Sequence, residues 1–174
     1  MKALVVYYSL TGSNETLARL IAEKLGADIE PISGGSLAGL GMPLTALKSF
    51  FKIKTGVPPL KHDPAAYDLV VLASPAYAGS IPSQVRGFLD KYKKDLKAVA
   101  FASVSGSGSN PKALADVCGI LKKELAATLE LKALVDESGG KKKSFGRLTA
   151  EDLKRKEYAD AVDGFLKTVW RRFD

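Results

Sequence analysis

The stretch of sequence that decides the fold lies near the N-terminus and reads ALVVYYSLTGSN over residues 3–14. Its first half, Ala3 to Tyr8, is a short aliphatic and aromatic run of the kind that forms a buried strand. Its second half, Ser9 to Asn14, is mainly hydroxyl, amide and glycine residues. A helical pattern follows from about Asn14 to Leu25. A strand, a polar loop and a helix in this order begin a parallel α/β unit.

Apolar runs and helical patterns keep alternating along the chain. Further strands are predicted at Asp28 to Ile32, Asp68 to Ala73, Ala98 to Val104 and Leu129 to Val135. Further helices are predicted to begin at Ser83, at Asn110 with Pro111, and at Thr149, and one more is predicted at Leu44 to Lys54. Five strands alternating with about five helices are typical of a doubly wound parallel sheet. We therefore predict one α/β domain over residues 1–174.

Two of the helix starts carry capping signals. Asn110 precedes Pro111, which predicts an amide cap followed by proline in the first turn. Thr149 with Asp152 three residues later forms a weak capping box for the last helix.

Two segments fit the alternating scheme poorly. The connection Ser33 to Pro59 is long, and we expect its second half to pack as a helix against the sheet, with a lid or a dimer contact as the alternative. The segment Ser138 to Leu148 contains Lys141 to Lys143 and is expected to be a solvated loop rather than a docking patch.

Composition excludes several classes of protein. Of the 174 residues, 46% are hydrophobic and 26% are charged, which argues against global disorder. One cysteine, Cys118, and one histidine, His62, exclude an intrachain disulfide, a cysteine-based zinc site and a histidine cluster. No uncharged stretch has the roughly 20 apolar residues of a spanning helix, and the N-terminal run is too short for a signal peptide. We expect a cytoplasmic protein with no membrane span.

The net charge of +7 leaves the kind of partner open. A basic surface suits a nucleic acid, an anionic membrane or an acidic protein. The sequence has no nucleic-acid-binding motif, so we expect no nucleic-acid partner.

The loop after the first strand has the chemistry of an anion site. Backbone N–H groups and the positive end of a helix dipole favour a bound anion, and the loop hydroxyls can donate further hydrogen bonds. The loop has no lysine, so it differs from the P-loop of nucleotide triphosphatases. These features indicate a phosphate monoester held by neutral donors. The alternative is an ordinary turn in which Ser13 or Asn14 caps the helix.

The loops after the third and fourth strands complete a candidate site. The first of these, Ser74 to Pro82, is stiffened by prolines and carries Tyr77, which suits stacking on a flat ring or, alternatively, a half-buried place in the core. The second, Ser103 to Asn110, is small and polar, which suits close backbone approach to a ligand or, alternatively, a flexible surface loop. All three loops fall at one edge of the predicted sheet. Together they match a mononucleotide with a large flat ring.

The sequence resembles the flavodoxin-like proteins, a superfamily of carrier flavodoxins and quinone reductases that bind FMN. Residues 8–14 followed by Ala18 are similar to the family's phosphate loop, residues 74–82 to its second flavin loop and residues 101–111 to its third. The resemblance implies a three-layer sandwich with strand order 2-1-3-4-5. It implies FMN contacts from Ser9, Leu10, Thr11, Gly12, Ser13, Asn14, Pro75, Ala76, Tyr77, Ala78, Gly79, Ser103, Ser105, Gly106, Ser107 and Gly108.

The resemblance also implies a role for each of the three loops. The first loop holds the phosphate, Tyr77 covers one ring face, and the third loop approaches the pyrimidine side. The peptide at Ala78 or Gly79 is the candidate for turning its carbonyl toward flavin N5 on reduction. The loops contain no apparent general acid or base, as expected for electron or hydride transfer. Lacking Asp and Glu, they also predict a less negative second flavin couple than in an acidic flavodoxin.

Three functions follow from this resemblance. The first is an FMN electron carrier that serves a redox partner protein, which the basic charge suggests to be acidic. The second is an FMN-dependent NAD(P)H or quinone oxidoreductase. It is favoured by the absence of an aromatic residue from the third loop, where carrier flavodoxins usually stack a tyrosine. The third is a flavodoxin fold that has lost FMN and serves as a binding module. Either a monomer or a homo-oligomer is compatible with the sequence.

Overall fold

One parallel sheet forms the centre of the computed structural model, which describes residues 1–32, 56–77, 79–133 and 147–174. The five strands of this part of the chain are β1 (Ala3–Tyr7), β2 (Asp28–Pro31), β3 (Leu69–Ala73), β4 (Ala98–Ser105) and β5 (Thr128–Lys132). They lie in the order β2-β1-β3-β4-β5, and every neighbouring pair is parallel. The predicted doubly wound sheet and its strand order are confirmed.

Helices cover both faces of the sheet. The described helices are α1 (Ser13–Leu25), α2 (Ser83–Tyr92), α3 (Pro111–Leu121) and α4 (Lys156–Phe173), with short 3-10 turns at Pro64–Ala66 and Asp152–Lys154. None of these helices combines the length and the apolarity needed to cross a bilayer. The helix predicted at Leu44 to Lys54 and the lysine run Lys141 to Lys143 lie outside the described residues.

Alternation along the strands divides the core between two faces. Val5 and Val71 pack with α1 and α4 on one face, whereas Leu4 and Leu72 pack with α2 and α3 on the other. Since β3 is buried along its whole length, its continuous apolar run is that of a central parallel strand.

The predicted helix starts need correction. The last helix begins at Lys156 and not at Thr149, because Arg155 has extended backbone angles and separates α4 from a 3-10 turn. The capping box itself does form: Thr149 N–H donates to Asp152 Oδ2 at 3.0 Å, and Asp152 N–H donates to Thr149 Oγ1 at 3.2 Å. The box therefore closes the turn that begins at Thr149, whereas the 3-10 turn that follows it has no side-chain cap.

Proline does occupy the first position of α3, as predicted, but the Asn110 side chain does not cap that helix. The fifth strand ends at Lys132 within the described residues, so Ala133 lies beyond the strand and the rest of the predicted run lies outside the description.

The strand order places the three loops at one sheet edge. β2 lies on one side of β1, whereas β3 and the strands after it lie on the other side. In folds of this kind, ligands bind beyond the carboxyl ends of the strands at this switch point. The loops after β1, β3 and β4 all leave from this edge.

Candidate functional site

The loop after β1 ends at the start of α1, where the first backbone N–H groups have no intrahelical acceptor. Gly12 has a φ of +90°, and its carbonyl accepts the first intrahelical bond, from Thr16 N–H at 2.9 Å. The N–H groups of Ser13, Asn14 and Glu15 precede that bond and have no intrahelical acceptor. Gly12 N–H donates to Ser9 Oγ at 3.0 Å, which closes the loop. This arrangement fits a phosphate held by main-chain donors.

The side chain of Asn14 makes different hydrogen bonds from those that we predicted. It is 2% exposed, its Nδ2 donates to Val104 O at 2.9 Å, and its Oδ1 accepts from Val104 N at 2.8 Å. Ala102 O accepts from Ser74 N, just past the end of β3. Val104, two residues further along β4, also directs its backbone N–H and C=O toward the β3 side of the sheet, but β3 ends before it. The Asn14 amide therefore supplies the next rung of the sheet.

Ser13 is also committed within the protein. Its hydroxyl accepts from Leu148 N–H at 3.0 Å, and the residue is buried. Neither Ser13 nor Asn14 caps α1 through its side chain, so the capping alternative is wrong. If these two residues contact a phosphate, they do so through their backbone N–H groups, and the exposed Thr11 is the neighbouring hydroxyl.

The loop after β3 closes as a small hairpin. Tyr77 N–H donates to Ser80 O at 2.8 Å, and Ser80 N–H donates to Tyr77 O at 3.0 Å. Between them Gly79 has a φ of +73°, a conformation that favours glycine. Ala78, the other candidate for the turning peptide, lies outside the described residues.

Two tyrosines lie close together at this edge. Tyr77 is partly exposed, and burial raises the pKa of its phenol, with a smaller contribution from the nearby Tyr8. Burial likewise raises the pKa of Tyr8. Both phenols are therefore neutral at physiological pH. Tyr8 was missing from the predicted contacts, although it belongs to the first loop motif.

A buried ion pair between Arg86 and Asp116 contacts the hairpin through Ser80. Arg86 Nη2 donates to Asp116 Oδ2 at 2.9 Å and to Ser80 Oγ at 3.1 Å, while Ser80 Oγ donates to Asp116 Oδ2 at 2.8 Å. Arg86 is 5% exposed, and its buried Nε has no hydrogen-bond partner in the part of the chain that the structure describes. Sequence reasoning missed this network. Its one local signal is a cation on the buried side of a helix.

The loop after β4 is ordered around Asn110. Asn110 Nδ2 donates to Ser105 Oγ at 2.6 Å and to Gly108 O at 3.1 Å, and Ser107 Oγ donates to Asn110 Oδ1 at 2.9 Å. Glu130 on β5 accepts from Asn110 N–H at 2.6 Å. These bonds argue against the alternative of a flexible surface loop, and they place a carboxylate beside a loop that has none of its own.

The remaining predicted contacts differ in accessibility. Pro75 is buried and Ala76 half-buried, whereas Gly106 and Ser107 are exposed. Ser103 is fully buried, and its Oγ has no hydrogen-bond partner among the described residues. Its side chain is therefore out of reach of a ligand at the surface of the loop.

Basic side chains pack against the three positive-φ glycines of these loops. A Cβ at each glycine would meet, respectively, an arginine Nη2 at 3.3 Å, a lysine Cδ at 3.6 Å and a lysine Cβ at 3.3 Å. The pairs are Gly12 with Arg147, Gly79 with Lys112, and Gly108 with Lys132. The guanidinium of Arg147 and the aliphatic stems of Lys112 and Lys132 thus lie beside the three loops.

The sheet order and the phosphate-type loop at its switch point define a flavodoxin-like α/β protein. Residues 1–129 match the family described as NADPH-dependent FMN reductase. The chain belongs to this family, and FMN, the predicted cofactor, is the family's flavin.

Solved structures share the same fold. A flavoprotein of Lactobacillus acidophilus NCFM in complex with FMN is 23% identical, with 69% of this chain and 85% of that chain covered and a TM-score of 0.58. A flavoprotein from Bacteroides eggerthii DSM 20697 is 22% identical over 68% and 79% of the two chains, with a TM-score of 0.58. A Streptococcus pneumoniae TIGR4 flavodoxin is 15% identical over 99% of both chains, with a TM-score of 0.56.

Proposed function

We propose that this protein is an FMN-dependent oxidoreductase that takes electrons from a reduced nicotinamide nucleotide and passes them to a quinone or a comparable acceptor. The observation that carries the proposal is the third loop. Its residues 103–110 are mainly serine and glycine, fold around Asn110 and include no aromatic side chain. If the flavin ring lies against Tyr77, no aromatic side chain of the third loop would cover the other face of the flavin. A second flat ring could then stack on that face. Family membership supports the same reaction class.

The described residues fit FMN in three parts. Backbone N–H groups of Ser13 and Asn14, with Thr11, would hold the phosphate, because the turn at Gly12 leaves these donors unbonded within the helix. The Tyr77 ring would cover one face of the flavin. Backbone groups around Ser105 to Gly108 would meet the pyrimidine side.

The flavin supplies the redox chemistry, accepting hydride or electrons from the nucleotide and releasing them to the acceptor. The protein contributes binding, orientation and electrostatics. The stems of Lys112 and Lys132 lie against Gly79 and Gly108, so their ammonium groups are within one side-chain length of these loops, which suits an anionic nucleotide. Asp116 and Glu130 offset part of this charge, but Asp116 is paired with Arg86 and Glu130 accepts from the third loop.

The charge balance bears on the flavin potentials. Cations near a flavin favour its anionic reduced form, so the second couple should be less negative than in an acidic flavodoxin. A redox titration of the FMN-loaded protein measures this couple. A strongly negative value would contradict the electrostatic argument while leaving FMN binding intact.

The reaction is tested with FMN-loaded protein, NADPH or NADH, and a quinone. We expect steady oxidation of the nucleotide without any added protein. Turnover that requires an added reductase would instead identify an electron carrier, the first function derived from the sequence. Protein that stays colourless with added FMN would leave only a flavin-free module.

A pair of variants tests the placement of the ring. Tyr77→Phe keeps the aromatic face and should retain FMN affinity, because the neutral hydroxyl is not needed for stacking. Tyr77→Ala removes the face and should weaken FMN binding roughly tenfold, the value of about 1.4 kcal/mol for one aromatic contact. Equal affinities of the two variants would contradict stacking on Tyr77.

We place the protein in the cytoplasm as part of this proposal, because its proposed electron donor is a reduced nicotinamide nucleotide. Detection of the native protein in a secreted fraction would contradict it.

A further inference from the structure

We propose that Arg147 is a ligand of the FMN phosphate, so that this site holds the phosphate with a permanent cation as well as with neutral donors. This inference rests on the proposed binding of FMN. Arg147 lies outside the part of the chain that matches the family, which ends at residue 129. The family's phosphate loop therefore does not supply this residue.

Arg147 is itself exposed, but the residue after it is anchored. Leu148 is fully buried, and its N–H donates to the hydroxyl of Ser13, the first residue of α1. This bond attaches the backbone beside Arg147 to the phosphate loop. The guanidinium extends over Gly12, with Nη2 at 3.3 Å from the position that a Cβ would occupy.

Glycine at position 12 serves this arrangement in two ways. Its φ of +90° disfavours other residues, and a side chain would press against the guanidinium of Arg147. The cation therefore lies beside Gly12, the residue whose carbonyl accepts the first intrahelical bond of α1. A guanidinium presents several donors in one plane, which matches the oxygens of a phosphate.

Nearby carboxylates are bonded elsewhere. Glu15, in the first turn of α1, pairs with Arg19 at 2.7 Å. Asp152 accepts from Thr149 and pairs with Arg155 at 3.0 Å. Within the described residues, no carboxylate forms an ion pair with Arg147. In this part of the chain its charge is therefore not neutralised by an ion pair.

The test compares Arg147→Gln and Arg147→Lys with the unaltered protein, using flavin fluorescence to titrate FMN and riboflavin. Charge-assisted hydrogen bonds are worth about 1.5–3 kcal/mol, so Arg147→Gln should weaken FMN roughly 10- to 100-fold. Riboflavin, which has no phosphate, should bind both proteins equally. Arg147→Lys should lie between them, since it keeps the charge but loses the planar fork.

Salt provides a second readout, because screening weakens a cation–phosphate contact. FMN affinity of the unaltered protein should fall more steeply with added KCl than that of Arg147→Gln. Arg171→Gln is the matched control. It makes the same change at the far end of α4, and it should leave both flavin affinities unchanged.

The possible results separate this inference from the proposed function. Unaltered protein that fails to bind FMN would overturn both. Normal FMN binding by Arg147→Gln would overturn only the role of Arg147, as would equal losses for FMN and riboflavin, which indicate a structural role. Tighter FMN binding by this variant would show that the guanidinium competes with the phosphate, and would also overturn the inference.

Discussion

Replacement of Asn14 by alanine is the sharpest test of how the site is attached to the sheet. The side-chain amide makes two hydrogen bonds to Val104, of 2.9 and 2.8 Å, and both residues are buried. Alanine would leave the N–H and the C=O of Val104 without these partners. Each unsatisfied buried group costs about 1–3 kcal/mol, so we expect a total loss of roughly 2–4 kcal/mol, with relaxation keeping it below the full sum.

This loss is large beside the net stability of a domain, which is about 5–15 kcal/mol. For a chain of this size it corresponds to a fall in Tm of roughly 5–15 °C. Urea unfolding followed by circular dichroism measures the free energy directly. Thr168→Ala is the control, because it removes an exposed hydroxyl that bonds only to Gly164 O of its own helix.

Asn14→Asp refines the test through pH. The ionised carboxylate can accept from Val104 N–H but repels Val104 O, whereas the protonated acid can donate to that oxygen as the amide does. The fold therefore favours the protonated form and raises the pKa of the new carboxyl. Stability relative to the unaltered protein should recover as pH falls and be lost as pH rises. A loss below about 0.5 kcal/mol for Asn14→Ala, or no pH dependence for Asn14→Asp, would refute the reasoning.

Three further predictions concern other parts of the structure. Arg86→Met should destabilise the protein by about 3 kcal/mol in urea unfolding, because it removes the cation buried against Asp116, and a loss near zero would contradict a supporting role. Burial and the hydrogen bond to Asp28 raise the pKa of Tyr67 to about 12. The native state thus holds this proton more tightly than the unfolded chain. Stability from Tyr67 is full below about pH 10 and is lost as pH rises toward the folded pKa, so Tyr67→Phe should flatten the alkaline fall in unfolding free energy. Gly79→Ala should cost about 1–2 kcal/mol, because its φ is +73° while the space around a Cβ is adequate, and an unchanged Tm would contradict this.

The sheet and its loops could be predicted because their signals are local. Buried strands such as β3 are continuous apolar runs, and the helix α1 follows a polar loop at helical spacing. Parallel connectivity then places the loops after β1, β3 and β4 at one edge without any knowledge of side-chain contacts. The strand order came from the family resemblance and agrees with the structure.

The side-chain roles could not be predicted in the same way. Whether Asn14 caps its own helix or completes the sheet depends on β3 ending one rung before β4, a difference set by tertiary packing. The bond between Arg86 and Asp116 joins two helices 30 residues apart in sequence. The Thr149 capping box forms as the local sequence predicts, but the extended backbone at Arg155 separates the box from α4.

The family match ends at residue 129, yet the fold depends on the C-terminal helix α4 beyond that point. The buried side chains of α4 lie on the same core as those of α1, and none is more than 7% exposed: Tyr158, Val162, Phe165, Leu166 and Val169. At about 1.5–3 kcal/mol for each buried side chain, the five together contribute roughly 10 kcal/mol, which is comparable to the net stability of a whole domain. A chain without α4 would leave the part of this face that α1 does not cover exposed to solvent.

We therefore infer that residues 1–174 form one domain. The bond from Leu148 to Ser13 then extends this dependence from the core to the phosphate loop. A chain ending at residue 133 should show no cooperative unfolding transition in urea. A cooperative transition would show that the C-terminal segment is separable from the fold. The bond from Leu148 to Ser13 would then be dispensable for folding.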